Sequence, residues 1–146
     1  MNPRKEVEVL LVEDDPGDVE LTTEGLKASK MLVNLHVVDD GIKAMKYLKR
    51  EAPYTDALRP DLVLLDLNLP KKDGREVLRE IKSSETMKSI PVVVLTTSAD
   101  EGHFSRCYEY GANCCITKPV GLDDFIRIVK TIQEFWFTIV KLPDDD

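Results

Sequence analysis

A chain of 146 residues, 42% apolar and 32% charged, has the length and make-up of one globular domain with a real core. Its formal net charge of −7 argues against a nucleic-acid partner, because holding a phosphate backbone takes clustered Lys and Arg, and here the basic residues are scattered among acids. No apolar stretch approaches the ~20 residues of a membrane span, and the run after Met1-Asn2-Pro3 is too short for a secretion signal, so a cytoplasmic protein without membrane contact is expected.

Short apolar runs recur along the chain at Val9–Val12, Leu35–Val38, Leu62–Leu65, Val92–Leu95 and Cys114–Ile116. They are continuous rather than alternating, which suits strands buried on both faces of a parallel sheet. Helix-start signals fall between them. Asp15-Pro16 offers an N-cap and a proline for the first helical position, Asp40 precedes Ile42, Met45 and Leu48, and Ser98 with Glu101 forms a candidate capping box. The stretch Glu51–Arg59, with Pro53 and Tyr54, reads as a surface loop, and Gly121 leads into the last and longest helical pattern. The alternation predicts an α/β fold, a doubly wound five-stranded parallel sheet in a single domain with no repeat and no linker.

Chemistry-bearing residues follow the runs. The first run ends in Glu13-Asp14-Asp15, the third in Asp66, the fourth in Thr96-Thr97, and Ile116-Thr117 leads to Lys118-Pro119. Open α/β sheets bind ligands beyond the carboxyl ends of their strands. Phosphoryl transfer to a carboxylate needs an ionised nucleophile, neutralised equatorial oxygens and alignment. Asp66 is the candidate nucleophile. Glu13 and Asp14 are the candidate Mg²⁺ site, since this hard ion takes a few carboxylates, a carbonyl and waters, and Asn68 can add its backbone carbonyl. Lys118 supplies a compact cation for a phosphoryl oxygen, and Thr96 a hydroxyl. Singly, each has a plain role: Asp14 and Asp15 as helix caps, Thr96 and Lys118 as ordinary strand-end residues. Jointly, at the ends of different strands, they point to one site. His36 and His103 read as surface or packing residues, and Cys107, Cys114 and Cys115, lacking a C-x-x-C spacing, as reduced thiols.

The set Glu13-Asp14, Asp66, Thr96 and Lys118-Pro119 resembles the receiver domain of two-component response regulators, over about residues 7 to 133. More narrowly, Leu65-Asp66-Leu67-Asn68-Leu69-Pro70-Lys71-Lys72-Asp73-Gly74, with Asn113-Cys114 before Ile116-Thr117-Lys118-Pro119, resembles the cyanobacterial phytochrome response regulators, stand-alone receivers paired with light-sensing histidine kinases. The resemblance implies the flavodoxin-like receiver fold and a phosphoacceptor signalling protein rather than an enzyme acting on other substrates. It makes Asp66 the phosphorylated residue, Asp14 a direct Mg²⁺ ligand, Glu13 a ligand through water and Asn68 a ligand through its main-chain oxygen. Thr96 would move toward the phosphoryl group, and Lys118 would pair with it. The partner implied is a sensor histidine kinase of the phytochrome kind. Two departures stand out. Glu13 occupies a place where many receivers have Asp, and Cys115, three residues before Lys118, replaces the usual Tyr or Phe of the switch.

From Leu122 to Leu142 the apolar residues, among them Phe135, Trp136, Phe137 and Ile139, cover roughly 220° of arc on a helix, whereas a helix lying on a sheet needs only ~100° or somewhat more. This extended apolar C-terminal helix is therefore predicted to form a homodimer surface through the 134–146 extension beyond the core; folding back over its own domain is the alternative. Two other functions compete with the switch. A haloacid-dehalogenase-type phosphatase also uses a strand-end Asp, Mg²⁺ and Lys, but its general acid would fall on Asn68, which cannot donate a proton. A pseudo-receiver, never phosphorylated, is favoured by Cys115 alone.

Overall fold

The computed structural model describes residues 7–28, 32–96, 111, 112, 114–117 and 127. The elements run β1 (Val7–Val12), α1 (Pro16–Ala28), β2 (Val33–Val38), α2 (Gly41–Lys49), β3 (Leu62–Asp66), α3 (Gly74–Ser83), β4 (Val92–Thr96) and β5 (Cys114–Thr117). All strand pairings are parallel, in the order β2-β1-β3-β4-β5. Parallel neighbours need a crossover, and α1, α2 and α3 provide those between β1 and β4.

Alternate side chains along each central strand enter different cores. Val9 and Leu11 of β1, Leu62 and Leu64 of β3, and Val93 and Leu95 of β4 pack with Leu26 and Val19 of α1. Leu10, Val12, Val63, Leu65, Val92 and Val94 pack instead with Ala44, Met45 and Tyr47 of α2 and Val77, Leu78 and Ile81 of α3. The sheet is covered on both faces, the reason its central runs carry no polar alternation. The β2 run differs. It lies at the edge of the sheet order, begins two residues earlier than its apolar run, and is only half-buried over most of its length.

Local chemistry sets the helix ends. Asp15 caps α1, accepting from the Gly17 amide at 2.9 Å, with Pro16 at the first helical position. Asp40 caps α2 through the Lys43 amide at 2.7 Å. On α2, Ala44, Met45 and Tyr47 are buried and Leu48 packs against the same core, whereas Ile42 is 44% exposed. Residues 51–61 are irregular, as expected, yet Tyr54 turns inward against Tyr47, ring centroids 5.4 Å apart. The Ser98–Glu101 capping box, His103, Cys107 and, apart from the helical, exposed Arg127, the C-terminal helix pattern lie outside the described residues, and no helix among the described residues is long and apolar enough to cross a membrane.

Candidate functional site

Strand register brings the acids together. Val12 of β1 lies opposite Leu65 of β3, so the next residues, Glu13 and Asp66, leave the sheet side by side. Ligand oxygens of Glu13, Asp14 and Asp66 all lie within 4.8 Å of one another, the one such acidic group among the described residues. Glu13 and Asp66 are buried, 1% and 4% exposed, and Asp14 is exposed. Like charges this close repel by on the order of 3 kcal/mol per pair at an effective dielectric of ~20, and burying them adds a desolvation cost that a cation offsets. An all-oxygen set with one open, exposed member fits a hard divalent ion such as Mg²⁺.

Neighbouring backbone shapes the cluster. Val38 of β2 accepts from the Glu13 amide at 3.0 Å, and Glu13 Oε2 accepts from the Asp15 amide at 3.3 Å. Asp66 Oδ1 accepts from the Asn68 amide at 3.1 Å, which ties the start of the following loop to the central carboxylate. Thr96 closes β4, the strand beside β3, with its backbone opposite Thr117; its side chain lies outside the described part. Lys118, Asn113 and Phe135, Trp136, Phe137 and Ile139, the residues predicted from the sequence to form a dimer surface, lie outside the described residues. Cys115 sits in β5 opposite Val94.

Gly74 is a site residue that motif reasoning did not single out. A Cβ there would lie 2.6 Å from Leu67 Cα and would meet the Asp66 carbonyl oxygen, so only glycine lets α3 start against the end of β3. Its amide donates to Leu67 O at 3.0 Å, and Asp73 caps α3 through the Arg75 amide at 2.7 Å. The readable signal was Asp73-Gly74 itself, an N-cap followed by the smallest residue.

A doubly wound parallel sheet with acids clustered at its strand ends defines a class of phosphate- and metal-handling folds. The chain belongs to the response regulator receiver domain family, whose model matches residues 9–130. It is 48% identical over 142 residues to response regulator Rcp1 of a Synechocystis species, covering 97% of this chain and 95% of that protein. The phosphorylated cyanobacterial phytochrome response regulator RcpA is similar in structure, with 49% identity, a TM-score of 0.87, and coverage of 96% of this chain and all of the other. The Mn²⁺-bound form of Rcp1 gives 47% identity and a TM-score of 0.84, covering 94% of this chain and 99% of that one. The chain is thus a response regulator of the two-component class.

Proposed function

We propose that Asp66 accepts a phosphoryl group from a phosphohistidine of a sensor kinase, of the phytochrome kind, and later loses it to water. The P–N bond of the donor breaks as a P–O bond forms on the Asp66 carboxylate; in hydrolysis a water oxygen replaces that carboxylate. The observation that carries this reading is a buried strand-end carboxylate, 4% exposed, clustered with two further acids. Support also comes from two similar proteins, one described as phosphorylated and the other as Mn²⁺-bound.

In this chain Asp14, Asp66 and the Asn68 carbonyl would hold Mg²⁺, with Glu13 acting through a water. Bound there, the ion would offset the charge of the acids and of the incoming phosphoryl oxygens. Asn68 holds Asp66 Oδ1 through its amide, which restrains the orientation of the carboxylate. Thr96 and Lys118 would take the remaining phosphoryl oxygens, the hydroxyl donating one hydrogen bond and the ammonium pairing with the charge. The protein would catalyse only its own phosphorylation and dephosphorylation.

The rest of the reading concerns assembly. The core would span about 7–133 with a full five-stranded doubly wound sheet, and the 134–146 extension would pair two cytoplasmic copies through Phe135, Trp136, Phe137 and Ile139. Truncation before Phe135 should give a monomer by light scattering that still binds Mg²⁺; a truncated dimer would place the interface elsewhere. The primary test is labelling with radioactive acetyl phosphate and Mg²⁺. The parent should take label and Asp66→Asn should take none, and equal labelling of the two would remove Asp66 from the role.

A further inference from the structure

The loop from 67 to 73 joins Asp66 to α3, and it is held in a conformation that its sequence does not prefer. Lys71 has φ of 67°, and the Lys72 amide donates to the Pro70 carbonyl at 2.7 Å. Together these make a γ-turn with a left-handed central residue, the strained form. Only glycine, and sometimes Asn or Asp, takes that region without a steric cost. Something outside the loop must hold it there.

The holding contacts come from the start of α2. A Cβ added to Gly41 would lie 2.7 Å from Lys72 Cβ and 2.9 Å from Lys72 C, and would meet the Lys72 carbonyl oxygen. The loop backbone therefore rests directly on the Gly41 backbone. Beside it, the buried Asp40 carboxylate stands 3.7 Å from Lys71 Nζ, and Lys72 pairs with Glu80 of α3. At its other end the loop is anchored by buried Leu67 and by the Asn68 amide on Asp66 Oδ1.

We propose that Gly41 is a positioning residue of the carboxylate site. Its missing side chain is the seat on which the 67–73 loop is held in its left-handed turn, with Asn68 against Asp66. The start of α2, an element that contributes no acid to the cluster, thereby sets how well the cluster takes a divalent cation. The proposal rests on reading that cluster as the Mg²⁺ and phosphoacceptor site, and it makes a two-part prediction. A Cβ at Gly41 unseats the loop, and easing the strain at Lys71 reseats part of it.

The test is calorimetric titration of Mg²⁺ into the full-length parent, Gly41→Ala, Lys71→Gly and the double variant, with thermal midpoints recorded in parallel. Gly41→Ala should bind Mg²⁺ at least about fivefold more weakly, and the double variant should regain about two- to fivefold, the factor by which glycine eases a left-handed position. If Gly41→Ala does not fold, Asp40→Ala loosens the neighbouring hold of the α2 start on the loop, through Lys71 rather than Lys72, with the same rescue expected from Lys71→Gly. Parental Mg²⁺ affinity in the Gly41 or Asp40 variant, or a loss that Lys71→Gly fails to recover, overturns the proposal. Labelling of the parent by acetyl phosphate is scored separately: an unlabelled parent that binds Mg²⁺ removes the phosphoacceptor reading, while the Mg²⁺ series still decides the role of Gly41.

Discussion

The first strand and the residue after it carry a glutamate at each end, and the two live in opposite surroundings. Glu8 accepts from Asn34 Nδ2 at 3.1 Å on both oxygens and lies 3.1 Å from His36 Nε2. Above it Tyr47 stacks at a tilt on His36, centroids 5.6 Å apart. Glu13 is more deeply buried and is set among two further carboxylates. The same residue type on the same chain segment is thus held by two side-chain donors at one end, and at the other by a backbone amide beside two further carboxylates. A cluster arranged for stability pairs its charges. One that gathers like charges in a buried strand-end position gives up stability for a task.

The largest effect expected on this comparison is at Asp66. Asp66→Asn should abolish labelling by acetyl phosphate and, without Mg²⁺, raise stability by ~1 kcal/mol, because one of the mutually repelling charges is gone; a destabilised Asp66→Asn in denaturant melts would mean the acids are not in conflict. Gly74→Ala comes next. Its Cβ has only backbone to displace, so a loss of roughly 2–3 kcal/mol is expected from urea unfolding, and a neutral result would show that α3 can back away from Asp66 at little cost.

Metal addition sharpens the contrast. At about 100 times its dissociation constant, Mg²⁺ should stabilise the parent by about 2.7 kcal/mol and leave Asp66→Asn much less affected; equal gains in both would move the ion elsewhere. At the other cluster, Glu8→Ala should cost ~1–2 kcal/mol by removing the acceptor for Asn34 and His36, while labelling and Mg²⁺ affinity stay at parental values. A change in Mg²⁺ affinity there would join the two ends that the comparison separates.

The smallest effect is a pH dependence. Burial first, and then the nearby Glu8 carboxylate, raises the Tyr47 phenol above its ordinary value of 10.0. The folded state keeps this proton longer than the unfolded chain does. That contribution to stability is whole below about pH 10 and is lost as pH rises through the folded value. Tyr47→Phe should therefore flatten the alkaline fall in thermal midpoint above pH 10, and an unchanged slope would assign the fall to other groups.

Much of the site was legible because its signals are local. The run Leu62–Leu65 ending in Asp66, and Glu13-Asp14 after Val9–Val12, needed only the rule that parallel strands are buried and deliver chemistry at their carboxyl ends. Asp15-Pro16 and Asp40 act through amides two or three residues on. What escaped was set by contacts between distant segments. Glu8 meets Asn34 and His36 across 26 and 28 residues, and nothing near Glu8 announces them. The inward turn of Tyr54, in a stretch that reads as a surface loop, escaped for the same reason: local composition does not say where a loop folds.

By itself the sequence determined the alternation of strands and helices, the acids at the strand ends, the caps of α1 and α2, and the resemblance to receivers, since each depends on neighbours within a few residues. Only the tertiary structure decided that β2 lies at the edge of the sheet order, that Glu8 is matched while Glu13 joins like charges, and that Gly41 and Gly74 meet the segment around Asp66 backbone to backbone. Those features belong to packing. A glycine at a helix start is unremarkable until another chain segment arrives where its side chain would have been.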